Sequence, residues 1–383
     1  MMARDAAAAA FAEDPLSFLD RSLAQGADGV WSGRREFCLG NADAARAVLA
    51  NARGLYREHS DFFQAGREQF GPRSAQVEIG RRARLLLQEV VRARAARLAA
   101  DVRAALATDS EWPDAGNWLA YRHLADALAA PGETRLRRLV EEIVRRAVLA
   151  GARERQPAWR RLLFRRRAMR ELGRAIAARR RRGSAEPADL LDVVVLGGRC
   201  GQPDDLLAEV YLSFVFAVAG SVGFALGWSV YLLGTHPGTQ AEPGWIVREA
   251  LRLWPVAWQL ARRPVQAHEI AGTAVSPHDT VVVCPYLVHR DPRRWHEPTR
   301  FRPERWAAVS ARQGGAFIPF GYGPHRCVAA SLSLRLAADL LRAMLEAGEP
   351  QVSMHDGTPC IGPALAPPRF TLRLVPRHAS AAA

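Results

Sequence analysis

The chain has 383 residues, 49% of them apolar, and a formal charge of +14 carried by 53 basic residues, all arginine. That length and composition suffice to bury a large core. The five cysteines (Cys38, Cys200, Cys284, Cys327, Cys360) are odd in number and lack CxxC spacing, which argues against a disulfide framework and a zinc site.

In chain order, the first twenty residues carry acids and no adequate apolar run, so no signal peptide is expected and the chain is read as cytoplasmic. Apolar residues at three-to-four spacing predict helices over 41–52, 76–106, 134–152, 156–182 and 204–233. The stretch 153–182, "RERQPAWRRLLFRRRAMRELGRAIAARRRR", spreads its arginines round the helical wheel. With no zinc-finger, RNA-recognition or basic-zipper pattern beside it, this reads as a solvated surface helix, not a nucleic-acid site. Strand-like text is short: a hairpin at 269–276, then 280–288 and 369–376. Pro/Gly-rich breaks near 110–116, 183–188 and 235–244 read as loops within one mainly α domain with small β-sheets.

Residues 210–234, "VYLSFVFAVAGSVGFALGWSVYLLG", are uncharged over a length that also suits a bilayer. Glycines interrupt the run, no positive-inside asymmetry flanks it, and Asp204 and Asp205 suit a helix N-terminus. A helix apolar on all sides is equally the central helix of a large soluble domain, and no membrane partner is expected.

The chemistry concentrates in "FGYGPHRCVA", 320–329. Cys327 stands before an amphipathic helical run, where free amides and the helix dipole favour a thiolate. Gly321 and Gly323 permit a tight loop with amides near sulfur, Phe320 offers an apolar cover, and His325 and Arg326 bring positive charge. This suits a metal ligand or a nucleophile; a buried structural cysteine is the plainer alternative. No histidine base for a cysteine protease is indicated.

The loop resembles the haem-binding loop of the cytochrome P-450 family: Phe320, Gly323, His325 and Cys327 match its Phe, Gly, His/Arg and Cys positions. "EALR", with Glu249 and Arg252 one turn apart, resembles the family's Glu-x-x-Arg helix. "FRPERW" (301–306) resembles the segment whose arginine, here Arg305, joins them in a buried ionic cluster. "LARRPVQAHEIAG" and "YLVHRDPRRW" match the text between. The resemblance is specific over about 204–375, with the haem-binding motifs in 204–345, and looser upstream at "YREHSDFFQ" and "GPRSAQVEIGRRARLLL".

The resemblance implies a single-domain cytochrome P-450 fold over 1–383, binding haem b with Cys327 as proximal iron ligand. It makes His325 and Arg262 partners of the haem propionates, with Arg81, Arg82 and Arg84 as candidates for a third. The apolar run becomes the helix crossing the distal face of the haem. One register places Ala217, Val218, Ala219, Gly220 and Ser221 at the small-Gly-x-acid-Thr positions; another puts Ala219 and Gly220 first, followed by Ser221, Val222 and Gly223. Neither supplies an acid. Gly220 and Ser221 are thus the residues expected at the proton-handling position, with water or a substrate hydroxyl assisting. Ala329 stands where the family usually has Gly.

The implied activity is monooxygenation, hydroxylation or epoxidation, of a small apolar specialised metabolite, the tryptophans of "WPVAWQLARRP" suggesting an apolar ligand. Electrons would come from NAD(P)H through a separate ferredoxin and ferredoxin reductase, to a monomer. The missing acid leaves two alternatives: a peroxide-dependent or non-hydroxylating haem enzyme, and a non-catalytic homologue that assists another biosynthetic enzyme.

Overall fold

The computed structural model describes residues 2–65, 68–106, 109–149, 157–183, 186–198, 202–309, 311–355 and 357–375. Cys200 and the first four residues of the arginine-rich stretch lie outside them. The chain is mainly helical and divides into two compact units.

One unit comprises 1–61, 248–330 and 361–365. Its centre is a four-stranded sheet. Gly29–Gly33 pairs antiparallel with Glu36–Leu39, which runs parallel to Thr280–Val283, which pairs antiparallel with Leu260–Arg262. Val281, Val282 and Val283 are all buried, the pattern of an interior strand. The strand expected over 280–288 stops at Val283, because Pro285 has no N–H for the ladder and opens a short helix, Pro285–Val288. The predicted hairpin forms as His268–Ile270 and Thr273–Val275.

The other unit comprises 62–247, 331–360 and 366–383. Here the 76–106 pattern gives Arg73–Arg94, a 3-10 turn and Leu98–Ala105. The break expected at 110–116 is instead a strand, Ser110–Trp112, paired with Phe370–Leu372, followed at once by the helix Asp114–Leu128. Trp112 stacks on Phe370 at 5.8 Å, so a short polar-looking segment is held by aromatic burial. The helix beginning at Thr134 is regular to Ile143 and then widens into a π-helical turn, Val144–Val148.

The long apolar run forms Asp204–Thr235, continuous through a second π turn at Ala217–Ser221. It is the one helix among the described residues long and apolar enough to cross a membrane, and 67% of its most apolar window is buried in the protein. That burial suits the core-helix reading. The arginine-rich helix, Ala158–Arg182, is exposed over its first turns, as expected of a solvated surface. Its last turns are not: Arg179 is buried and donates to Asp189 and Asp192, each at 2.8 Å.

Candidate haem site

Cys327 sits at the end of a loop whose shape two glycines make possible. Gly321 and Gly323 both have φ +70°, a region that side chains rarely adopt. At Gly323 a Cβ would also fall 2.8 Å from Ala50 Cα, so the close approach of the Ala42–Ala50 helix excludes any larger residue. The amide of Cys327 donates to Phe320 O at 2.9 Å, closing the loop, and the helix Ala330–Ala347 follows.

Cys327 is exposed and in no disulfide. Crowding by protein atoms nonetheless pushes its thiol pKa up; the Ala329 amide, hydrogen-bonded to sulfur, and the Arg326 charge pull the other way without winning. This corrects two expectations: the amide reaching sulfur is Ala329's, and the loop alone does not favour the thiolate. A coordinated metal ion deprotonates such a thiol outright, so an open cysteine of this kind fits an iron ligand.

The two residues assigned to propionates already show the required chemistry. His325 Nε2 lies 2.8 Å from Glu58 Oε2, and Arg262 Nη1 donates to Asp61 Oδ2 at 3.0 Å. Burial pushes the Asp61 carboxyl up, but its bonds to His59 and Arg262 hold it below the usual range. Both side chains thus meet carboxylates, the group a propionate presents. On these two tests the residues fit haem. Arg81 and Arg82 bond Glu78 on their own helix at 2.8 and 2.6 Å, and Arg84 is half-buried.

The ionic cluster forms around Glu249, which is fully buried, as is Arg252. Arg252 grips it with Nε at 2.9 Å and Nη2 at 2.8 Å. Arg305 Nε (2.9 Å), the Arg302 amide (3.0 Å) and Trp306 Nε1 (2.9 Å) complete its partners. Arg252 also donates to the carbonyls of His289, Pro298 and Arg300.

His289 extends this cluster to the cysteine loop, a role that the text "YLVHRDPRRW" does not disclose. Its Nδ1–H donates to Arg252 O at 3.1 Å and its Nε2 accepts from the Ile318 amide at 2.9 Å. Ile318 O in turn accepts from Gly321 N at 3.1 Å. With one ring nitrogen donating and the other accepting, the imidazole is neutral. Burial first, then Arg252 and Arg290, depress its pKa to about 3.

The two tryptophans of "WPVAWQLARRP" are packed against the protein itself. Trp258 is buried and donates to Gly362 O at 2.9 Å; Trp254 packs on Tyr286 and Arg290.

On the Asp204–Thr235 helix, Gly220 is buried and Ser221 exposed, both within the π turn. Asn117, fully buried on the Asp114–Leu128 helix, donates from Nδ2 to Ala219 O (2.9 Å) and Gly220 O (3.0 Å). Nothing in its local text singled it out beyond being a polar residue in an apolar pattern. Two grooves of about 510 and 610 Å³ run along the exposed turns of the arginine-rich helix, beside Trp159 and Leu163 and beside Leu162 and Met169; neither is lined by a motif residue.

Residues 244–347 match the family model "Cytochrome P450". Among curated proteins, cyclooctatin synthase of Streptomyces melanosporofaciens is 28% identical over 33% of this chain and 33% of its own length. Lithocholate 6-beta-hydroxylase of Mesocricetus auratus is 32% identical over 34% and 32% respectively. These alignments therefore span about a third of each relative. Among solved structures, cytochrome P450 EryK from S. erythraea matches 95% of this chain and 97% of its own with a TM-score of 0.72 at 18% identity. CYP109E1 from Bacillus megaterium, solved with corticosterone, matches 94% and 98% with a TM-score of 0.71 at 17% identity. Residues 244–347 thus carry the family's match, and the fold over nearly the whole chain is that of the solved cytochrome P450 structures.

Proposed function

We propose that this chain is a haem-thiolate monooxygenase that hydroxylates or epoxidises a small, apolar organic metabolite. One observation carries the reading: an open cysteine, set before a helix by a loop that only glycines can form, within the stretch that matches the family. Bound at Cys327, haem supplies the activation of dioxygen, and the thiolate's electron density favours O–O cleavage. Phe320 and Gly323 shape the loop, while His325 and Arg262 serve the propionates.

Gly220 and Ser221 take the proton-handling position. Ala217 and Ser221 both have open surface while Gly223 is buried, which supports the register that keeps a hydroxyl at Ser221. With no acid over residues 210–234, Ser221 works with water or a substrate hydroxyl. Relatives named for cyclooctatin, or solved with erythromycin B or corticosterone, support a small organic substrate. We read the whole chain as one haem domain, cytoplasmic and monomeric. It takes electrons from NAD(P)H through a ferredoxin and its reductase, its arginine surface favouring an acidic ferredoxin.

The test is the carbon monoxide difference spectrum of the reduced, haem-supplied protein. The expected Soret band lies at the far-red thiolate position and disappears in Cys327→Ala. Folded protein that takes up no haem, or a band that survives in Cys327→Ala, overturns the reading.

A further inference from the structure

Asn117 is a buried amide in the crossing of two helices, where an apolar side chain of its size would avoid the cost of desolvation. What it does there follows from its bonds. Ala219 O and Gly220 O can only accept, so Nδ2 must be the atom facing both. That leaves Oδ1 as a buried acceptor with no donor among the described residues. The two carbonyls belong to the π turn Ala217–Ser221, where the backbone departs from the α ladder and acceptor capacity opens to a neighbour.

The crossing is built for this contact. A Cβ on Gly223 would lie 2.5 Å from Asn117 Cα and 2.6 Å from Nδ2; one on Gly116 would lie 3.0 Å from Gly223 O. Val148, closing the other π turn, stands 3.8 Å from where a Gly220 Cβ would be. The π turn is thus flanked by a second widened turn and tied at two carbonyls by one amide.

We propose that Asn117 is a positioning residue for the proposed reaction: its amide holds the π turn, and with it the Ser221 hydroxyl, and a buried water on Oδ1 completes the arrangement. It acts through Ser221 and rests on the haem-thiolate reading. A water with Asn117 Oδ1 as one acceptor satisfies the orphaned atom and adds a proton carrier beside residues 210–234, which contain no acid.

The experiment compares wild type with Asn117→Asp, which keeps the shape without the N–H, and Asn117→Leu. Two readouts are taken: the infrared C–O stretch of the reduced carbon monoxide complex and hydrogen exchange of peptides over 213–226. Both variants are expected to move the C–O band and to speed local exchange about tenfold, as for loss of a net hydrogen bond. The visible band should stay at its thiolate position. An unmoved C–O band or unchanged exchange in Asn117→Asp overturns the proposal, as does an effect confined to leucine, which would mark packing alone. A crystal structure of the wild type with a dry Oδ1 removes the water. If the wild type lacks the thiolate band, the haem-thiolate reading fails, and unchanged local exchange still overturns the tie. If neither variant folds, Gly223→Ala, whose methyl would displace Asn117, must reproduce both changes or the proposal falls.

Discussion

At the level of single residues, Glu249 shows how much one buried charge organises. It accepts from two arginines, a backbone amide and an indole, so its removal strands Arg252 and Arg305 in the interior. Breaking a buried pair by deleting one partner typically costs about 3–5 kcal/mol, far more than the pair would add if both were replaced. Glu249→Gln should lower the urea-unfolding free energy by about that amount. Glu304→Gln should change it by less than about 1 kcal/mol, since Glu304 is an exposed partner of Arg302. Equal effects of the two substitutions would refute the central place given to Glu249. The text "EALR" disclosed this pair, because helical spacing puts residues i and i+3 on one face. It did not disclose His289 or Asn117, whose partners lie 29 and 102 residues away in sequence.

The elements repeat the lesson on a longer scale. Periodicity found the arginine-rich helix, and its first turns are as solvated as their charge suggests. Periodicity gave no reason to separate Arg179 from the other arginines. Only the neighbouring helix N-terminus does so: Asp189 caps the helix Leu190–Gly197 and Asp192 lies in its first turn, and both accept from Arg179. The attraction of these carboxylates raises the Arg179 pKa although burial opposes it. Arg179→Ala should therefore cost about 3–5 kcal/mol. Arg166→Ala, on the exposed turns, should stay within about 0.5 kcal/mol. Denaturant titration of both variants checks this, and near-identical midpoints would contradict it. Likewise the π turns have no sequence signature, since they depend on what neighbouring helices offer their carbonyls.

For the whole molecule, two buried histidines set an acid limit. His289 has its pKa depressed to about 3 by burial and by nearby arginines. His123, fully enclosed with neither ring nitrogen bonded among the described residues, is also depressed, by burial and then by Arg94, which outweigh Asp101 and Asp339. Between their folded and unfolded pKa values the unfolded chain binds more protons, so stability is complete above about 6.5 and falls as pH drops below it. His289 alone contributes a slope of about 1.4 kcal/mol per pH unit down to its folded value. Urea titrations between pH 7 and 5 should show stability falling with pH in the wild type, and falling less steeply in His289→Asn, the difference approaching about 1.4 kcal/mol per pH unit at the acid end. Parallel curves for the two proteins would exclude His289 as its source.

By itself the sequence determined the helical class, the cysteine loop, the ionic pair and the lack of an acid over residues 210–234. Each is written in residues adjacent in the chain or one helical turn apart, and local spacing carries their geometry. Only the tertiary structure decided that His289 joins Arg252 to the loop, that Arg179 is buried and that Asn117 ties the π turn. It also decided that the Cys327 thiol is pushed up in pKa by its surroundings. The physical reason is the same in each case. Hydrogen bonding and desolvation depend on which atoms stand within about 3 Å, and those atoms come from distant parts of the chain that meet only on folding.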